Sequence, residues 1–211
     1  MSLTDTQIYE LSYKMSIPIA LVCFKDELPN KLEFNKSYFI NLENSNDEYG
    51  NPNSGTHWTF CQVNSYPNGK IEAIYFDPYG QPAPENVKKV VKNTTGKQGL
   101  PYTEKDIQSL MNNACGYYCL ALAHFINASK YRSNSLYDDV TTFMDMFDDL
   151  NHSIDFKKNE YILKHFFRSS DPNLRKQIEV IAPIDEITNQ DEKGGIDAFK
   201  MPVNIKYINK K

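Results

Sequence analysis

The sequence predicts a fold with both helices and strands, arranged around one buried helix. Residues 117–126 are apolar or aromatic on nearly every side, and a helix without a polar face belongs inside a domain. Residues 58–63 and 71–76 are strand-like and flank a turn signal that contains Asn-Gly, which predicts a β-hairpin. The chain has 211 residues, 40% of them hydrophobic and 13% aromatic, which suits one domain with an appendage.

The elements before the hairpin follow from local patterns. In order, the patterns predict a helix over residues 4–15, extended segments over residues 17–24 and 37–42, and a polar loop over residues 44–56. Thr4 and Gln7 can form a capping box at the start of the helix. The loop is rich in Asn and Gly and is long enough to be functional.

Helical patterns dominate after the hairpin. In order, the patterns predict a helix over residues 85–93, a short strand over 101–105, the buried helix from near Asn113, and helices over 136–150 and 156–167. Residues 173–211 are polar and predict a tail with weak intrinsic structure. We therefore divide the chain into a domain over residues 1–168 and a C-terminal extension or tail over residues 169–211.

Composition limits the partners and the compartment. The net charge is −4 and no basic run exceeds two residues, which argues against a large nucleic-acid footprint. Four cysteines, three of them in apolar stretches, indicate reduced thiols better than a disulfide scaffold. The first residues show no signal-peptide pattern, and no apolar run reaches transmembrane length. These features predict a soluble protein that stays inside the cell that makes it.

Cys115 stands at the mouth of the buried helix. With Asn113 as the N-cap, Cys115 falls in the first turn, where unpaired N–H groups and the helix dipole favour the thiolate. A cysteine in that place is a candidate nucleophile, although most cysteines that precede an apolar helix are packing residues. Gln108, seven residues upstream, is an uncharged hydrogen-bond donor that can reach the same spot.

The register of the predicted hairpin places a histidine beside a carboxylate, and such a histidine can activate a thiol. Centring the hairpin turn on Pro67 pairs Val63 with Ile71, and the same register pairs His57 with Asp77. Directly opposed residues have Cβ atoms about 4.5–5.5 Å apart. A bulge would turn one of the two side chains to the other face of the sheet.

These four residues supply what thiol-dependent acyl transfer needs. Cys115 is the candidate nucleophile, and His57 is the base that takes its proton and later protonates the leaving amine. Asp77 fixes the tautomer by accepting from the Nδ1–H group of the ring. Gln108 and the backbone N–H of Cys115 hold the developing oxyanion.

The order of these motifs resembles a known family. His57-Trp58, then Phe-Asp-Pro-Tyr-Gly at residues 76–80, then Gln108, then Ala-Cys-Gly at residues 114–116 is similar to adenain, the adenovirus-type maturation protease. Asp77 stands where adenain has a glutamate, and an aspartate is usual in the wider superfamily that includes the SUMO proteases. The resemblance covers roughly residues 17–128. Residues 155–167 look like adenain-type proteases of virophages and Polinton-like elements.

The resemblance implies a fold, an activity and a setting. It implies an α+β, papain-like (adenain-like) fold in which a central buried helix carries the nucleophile and packs against a mixed β-sheet. It implies an endopeptidase that cleaves viral capsid or virion precursor proteins, after small residues such as Gly-Gly, in the virion and the host-cell cytoplasm. No cofactor or metal is implied. The catalytic set becomes His57, Asp77, Gln108 and Cys115, with Trp58 as a substrate-binding residue or a core residue.

Adenain itself is activated by a viral peptide and by DNA, but the acidic balance of this chain argues against DNA activation. Three alternatives stay open: a deconjugating protease for ubiquitin-like modifiers, which uses the same four residue types; a non-enzymatic binding module on the same fold; and a zinc site at Cys115, Cys119 and His124, which lacks paired-ligand spacing. The tail contains Gly194-Gly195, which is either a self-substrate, a pseudo-substrate or an ordinary glycine turn.

Overall fold

The computed structural model describes residues 2–110, 112–128, 133–151 and 156–187, and the structural statements below refer to these residues. The elements are, in order, α1 (Asp5–Lys14), β1 (Ile19–Phe24), β2 (Ser37–Asn41), β3 (Trp58–Ser65), β4 (Ile71–Phe76), α2 (Glu85–Thr95), α3 (Cys115–Asn127), α4 (Leu136–Met144), α5 (Phe156–Arg168) and α6 (Pro172–Ile181). Short 3-10 helices lie at Lys25–Glu27 and Ile184–Ile187.

The four strands form one mixed sheet in the order β1-β2-β3-β4. β1 runs parallel to β2, whereas β2 pairs antiparallel with β3 and β3 antiparallel with β4. A mixed sheet with six helices is an α+β architecture, and it is compatible with a papain-like cysteine protease fold. Within the described residues, no helix has both the length and the apolar character to cross a membrane.

Each face of the sheet packs against a hydrophobic core. Side chains that alternate along a strand point to opposite faces and therefore belong to different cores. Phe39, Phe60 and Phe76 belong to the larger core, together with the buried face of α3. Their neighbours Tyr38 and Tyr75 belong to a second core on the opposite face. This second core includes three valines of α2, namely Val87, Val90 and Val91, as the sequence predicts.

Helix α3 is the centre of the larger core. Ten of its 13 residues are buried, which confirms the prediction of a helix without a solvent-exposed face. Phe143 of α4 packs beside it, and its ring meets those of Phe76, Phe125, Phe147 and Phe166 with centroid distances between 5.1 and 6.4 Å. This aromatic cluster joins the sheet to α3, α4 and α5.

The first predicted helix is confirmed in detail. The Thr4 hydroxyl accepts from the Gln7 backbone N–H, and the Gln7 side chain accepts from the Thr4 N–H, so the capping box is complete. Gln7 then donates from Nε2 to the carbonyl of Ile181, 2.9 Å away, which ties α1 to α6.

Two predicted elements are shorter than the sequence pattern indicates. The helix predicted over residues 136–150 ends at Met144. The N–H groups of Met146 and Phe147 still donate to carbonyls three residues back, whereas Asp148 donates to Asn159 Oδ1 and Leu150 to the carbonyl of Asp106. The strand predicted over residues 101–105 is a single bridge beside β4, after which the chain leaves the sheet.

The prediction of a weakly structured tail is wrong for its first part. Asp171 caps α6 by accepting from the backbone N–H groups of the next turn, and Pro172 is the first helical residue. Ile178, Ile184 and Ile187 are buried in the larger core, so this segment is part of the packed structure. The domain boundary at residue 168 stays a prediction. Residues 188–211, with the Gly194-Gly195 pair, lie outside the described residues.

Candidate active site

His57 and Asp77 meet at one end of the hairpin. His57 directly precedes β3 and Asp77 directly follows β4. The ring nitrogen Nε2 of His57 lies 2.7 Å from Asp77 Oδ1. The Asp77 side chain is only 1% exposed and the His57 side chain 14% exposed, so the pair is largely shielded from water.

The predicted hairpin register is wrong by two residues, although the predicted pair forms. Val63 pairs with Ala73, and the last ladder pair is Phe60 with Phe76. The turn is centred on Asn68, one residue later than predicted, and Gly69, with φ of 78°, takes the left-handed conformation that closes a three-residue hairpin loop. A shift of two residues leaves every side chain on its predicted face.

The predicted orientation of the imidazole is also wrong. The sequence analysis assigns Nδ1–H to the carboxylate, whereas the structure places Nε2 there. Nε2 is the ring nitrogen farther from the His57 backbone, and it reaches the carboxylate of Asp77, which directly follows the end of β4. With Nε2 on Asp77, Nδ1 is the ring nitrogen left for the Cys115 thiol.

Cys115 is the first residue of α3, and it is 2% exposed. The backbone N–H of Trp58 donates to its sulfur over 3.4 Å. The N-cap is Ala114, and not Asn113 as predicted; the side chain of Asn112 instead accepts from the Ala114 N–H at 3.1 Å. Cys115 therefore lies in the first turn of α3, as predicted, but no side chain caps the helix, and Asn112 binds the backbone of the N-cap residue instead.

The electrostatics of the pair favour charge separation. Burial alone raises the pKa of Cys115, but the hydrogen bond and charge of His57, with the Trp58 N–H, lower it below 9.0. Burial alone lowers the pKa of His57, but hydrogen bonds to Asp77 and Cys115 raise it to about 9. The two groups thus stabilise each other as a thiolate and an imidazolium, the form in which a thiol is nucleophilic.

Gln108 is tied to the loop before Cys115, and its amide is already engaged. Its Nε2 donates to the Tyr79 hydroxyl and to the Asn112 carbonyl, each 3.1 Å away. Its Oε1 is buried and has no hydrogen-bond partner within the described residues. Asn112 in turn donates from Nδ2 to Glu160 of α5. The loop before α3 is therefore held by a chain of buried polar side chains.

The start of the chain covers the thiol. Ser2 Oγ lies 3.9 Å from Cys115 Sγ, and Leu3 packs so closely on Gly116 that a Cβ there would lie 3.1 Å from the Leu3 side chain. Trp58 donates from its indole nitrogen to the Leu3 carbonyl at 2.7 Å. Trp58 is itself buried beside Cys115. Its predicted substrate-binding role stays a prediction, and in this structure it holds the segment that covers the thiol.

The other three cysteines lie in environments that disfavour a thiolate. Cys23 and Cys61 are buried core residues, as predicted, and burial raises the pKa of each to about 12. Burial also raises the pKa of Cys119, whose thiol donates to the Trp58 carbonyl. Within the described residues, no group of three or more His, Cys, Asp or Glu side chains is arranged to hold a metal ion.

The sequence analysis includes Tyr79 only as part of the Phe-Asp-Pro-Tyr-Gly motif at residues 76–80 and assigns it no role. The structure places its ring against the His57 ring, with centroids 4.6 Å apart and planes inclined by 22°. Asn112 and Glu160 were missed as well, because nothing in the sequence connects a loop before α3 with a residue on α5. The motif at residues 76–80 is the one sequence signal that points to Tyr79.

One comparison with known proteins identifies a family. A family model described as ElaD/SseL-like C-terminal matches residues 21–156, well over half of the chain. All four candidate residues lie inside that range. The family has a cysteine protease, deubiquitinase-like fold, which is consistent with the wider superfamily that includes the SUMO proteases. The narrower resemblance to adenain stays a prediction. No curated protein matches the chain closely enough to serve as a relative.

Proposed function

We propose that this chain, which belongs to the ElaD/SseL-like C-terminal family of cysteine proteases, removes ubiquitin-like modifiers from their conjugates. The observation that carries the proposal is the Asp77–His57 pair facing Cys115 at the start of a buried helix, inside the matched residues. The bond to be hydrolysed joins the C-terminal carbonyl of the modifier to an amine of the target.

The chemistry begins with the thiolate of Cys115. Its sulfur attacks the modifier carbonyl, and the charge passes to the carbonyl oxygen. His57 gives its Nδ1 proton to the leaving amine, the C–N bond breaks, and a thioester remains. Water then attacks the thioester while His57 takes one of its protons, and the thiolate is expelled with release of the modifier acid. Asp77 holds the ring through Nε2 in both steps.

The oxyanion requires hydrogen-bond donors beside Cys115. The backbone N–H of Cys115 lies at the first position of α3, where helical N–H groups have no partner within the helix. We assign the second donor to Gln108, whose Nε2 exchanges its bond to the Asn112 carbonyl for one to the oxyanion. An uncharged donor suits this place because it stabilises the developing charge without competing with His57 for the thiolate.

Family membership favours deconjugation of ubiquitin-like modifiers over maturation of viral precursor proteins. Both use the same nucleophile and base, so the difference lies in the substrate. A deconjugating enzyme binds a folded modifier across a broad surface, whereas a maturation endopeptidase recognises a short Gly-Gly segment of a precursor. A comparison of folded and short substrates therefore separates the two.

The test is hydrolysis of modifiers that carry a C-terminal coumarin amide. We expect ubiquitin or a ubiquitin-like modifier to be cleaved with a much higher kcat/KM than a short peptide with the same Gly-Gly end. Cys115→Ala abolishes the activity, and the matched control Cys23→Ala retains it. Leu3→Ala is assayed in parallel, because Ser2 and Leu3 cover the thiol.

Two results contradict the proposal. Equal kcat/KM for the short peptide and the folded modifiers favours the precursor endopeptidase. Absence of cleavage by both the wild type and Leu3→Ala, with the protein folded, argues against any peptidase activity of this kind.

A further inference from the structure

The turn after β4 connects to the base, to its carboxylate and to the oxyanion donor. Gly80 closes this turn by donating to the Asp77 carbonyl at 2.8 Å. Gly80 has φ of 68°, and a Cβ there would lie 2.5 Å from the Glu104 carbonyl oxygen, so only glycine fits. The turn is thus fixed in shape, and it presents Tyr79 in one orientation.

The backbone of Tyr79 supports the carboxylate. Its N–H donates to Asp77 Oδ1 at 2.9 Å, and the same oxygen lies 2.7 Å from His57 Nε2. A carboxylate oxygen with two donors is held in place, and a charged acceptor makes both bonds stronger than neutral ones. The carboxylate and its histidine are therefore positioned from one turn.

The ring of Tyr79 supports the imidazole. The two rings are stacked, with their centroids 4.6 Å apart. A stacked aromatic ring blocks one side of the imidazole and limits its rotation, so Nε2 stays on Asp77 and Nδ1 stays toward Cys115.

The hydroxyl of Tyr79 supports Gln108. It accepts from Gln108 Nε2 at 3.1 Å, and the neighbouring Pro78 carbonyl accepts from the backbone N–H groups of Ile107 and Gln108. Side chain and backbone of Gln108 are both tied to the turn. Burial raises the pKa of Tyr79 to about 12, helped by the negative charges of Cys115, Asp77 and Asp106, so the hydroxyl stays neutral during catalysis.

We propose that Tyr79 is a positioning residue that couples the histidine base to the oxyanion donor. Its ring holds His57, its N–H holds Asp77, and its hydroxyl holds Gln108. The inference rests on the proposed function, because positioning has a meaning only where these residues act on a substrate.

The test uses Tyr79→Phe and Tyr79→Leu, which remove the two contacts one at a time. Tyr79→Phe keeps the stacked ring and loses one neutral hydrogen bond, so we expect kcat to fall about 2- to 10-fold with KM unchanged. The basic limb of the pH–rate profile, which reports His57, stays in place. Tyr79→Leu also loses the stack; kcat falls further, and the basic limb moves to lower pH because the bond to Asp77 weakens.

A double-mutant cycle separates positioning from general damage to the fold. If the hydroxyl acts through Gln108, Tyr79→Phe has no effect on kcat in the Gln108→Ala background. The matched controls are Tyr13→Phe and Tyr13→Leu, at a tyrosine of α1 that is 80% exposed, and both should match the wild type. An unchanged kcat in Tyr79→Phe, or the same loss in both backgrounds, overturns the inference.

A second measurement keeps this test independent of the proposed function. The pKa of His57 can be followed by NMR of the free protein, without any substrate. A lower His57 pKa in Tyr79→Leu, but not in Tyr79→Phe, supports the stacking role even if no modifier is cleaved. Equal pKa values in the wild type and Tyr79→Leu refute that role even if the enzyme is active.

Discussion

Replacing Asp77 with asparagine should move the pH dependence of activity in a defined direction. The active form is the pair of Cys115 thiolate and His57 imidazolium. It forms as the pH rises above the pKa of Cys115, which is lowered from its ordinary value of 9.0, and it is lost above the pKa of His57, which is about 9. The wild type should therefore lose kcat/KM as the pH rises through about 9. The charge and hydrogen bond of Asp77 raise that pKa, while burial lowers it, so their loss moves the basic limb to lower pH.

The size of the effect follows from the same groups. Burial lowers the pKa of His57, but hydrogen bonds and charges of Asp77 and Cys115 together raise it from 6.5 to about 9. Each unit changes the ratio of ion pair to neutral pair tenfold, or by about 1.4 kcal/mol. If Asp77→Asn returns this pKa toward 6.5, the ratio of ion pair to neutral pair falls by about 10². The loss of kcat/KM is then largest near the wild-type basic limb at about pH 9 and much smaller at neutral pH, where the His57 ring is still partly protonated.

The assay is kcat/KM for a coumarin-labelled modifier, measured from about pH 5 to about pH 10. Asp26→Asn is the control, since this exposed carboxylate also accepts hydrogen bonds but lies at Ser45, away from His57. The control should keep the wild-type profile. A basic limb that stays in place in Asp77→Asn, with a correctly folded protein, refutes the reasoning that Asp77 raises the His57 pKa.

Three further outcomes test the site and the core. Limiting iodoacetamide at neutral pH, followed by peptide mapping, should label Cys115 ahead of the other cysteines. Cys115 should be labelled faster in Leu3→Ala, which removes part of its cover. Equal labelling of all four cysteines in the folded protein would count against Cys115 as the reactive thiol. Gln108→Ala should lower kcat by about 10²–10³ with little change in KM, and a rise in KM alone would exclude the oxyanion role. Phe143→Ala should lower the free energy of unfolding by about 3–5 kcal/mol in chemical denaturation, with the exposed Val180→Ala as control. A loss in Phe143→Ala as small as in the control would contradict the central place of the aromatic cluster.

The meeting of His57 and Asp77 could be predicted from the sequence because it depends little on the register. The two residues flank the hairpin strands, and the ends of paired strands meet at one edge of a sheet. A register error of two residues therefore changes the ladder and not the faces. Which ring nitrogen of His57 faces Asp77 could not be predicted, because the answer depends on the exact distance between the ring and the carboxylate.

The missed helix α6 shows a different limit. Asp171 followed by Pro172 is a helix start signal, but the same pair also directly follows the end of α5, where a proline equally favours a helix stop. What stabilises α6 is tertiary: Ile178 is buried, and the Ile181 carbonyl accepts from Gln7, far away in the chain. The hydrogen bond between Asn112 and Glu160 could not be predicted for the same reason, because it joins residues that are far apart in the sequence.

The central claim is that Cys115, prepared by His57 and Asp77, attacks the C-terminal carbonyl of a ubiquitin-like modifier. The most direct measurement is reaction of the protein with ubiquitin and ubiquitin-like modifiers that carry a C-terminal electrophile, followed by intact-mass determination and peptide mapping. The account predicts one modifier per chain, attached at Cys115, with no adduct in Cys115→Ala and a slower reaction in His57→Ala. No adduct with any of the modifiers, or attachment at another cysteine, would contradict it.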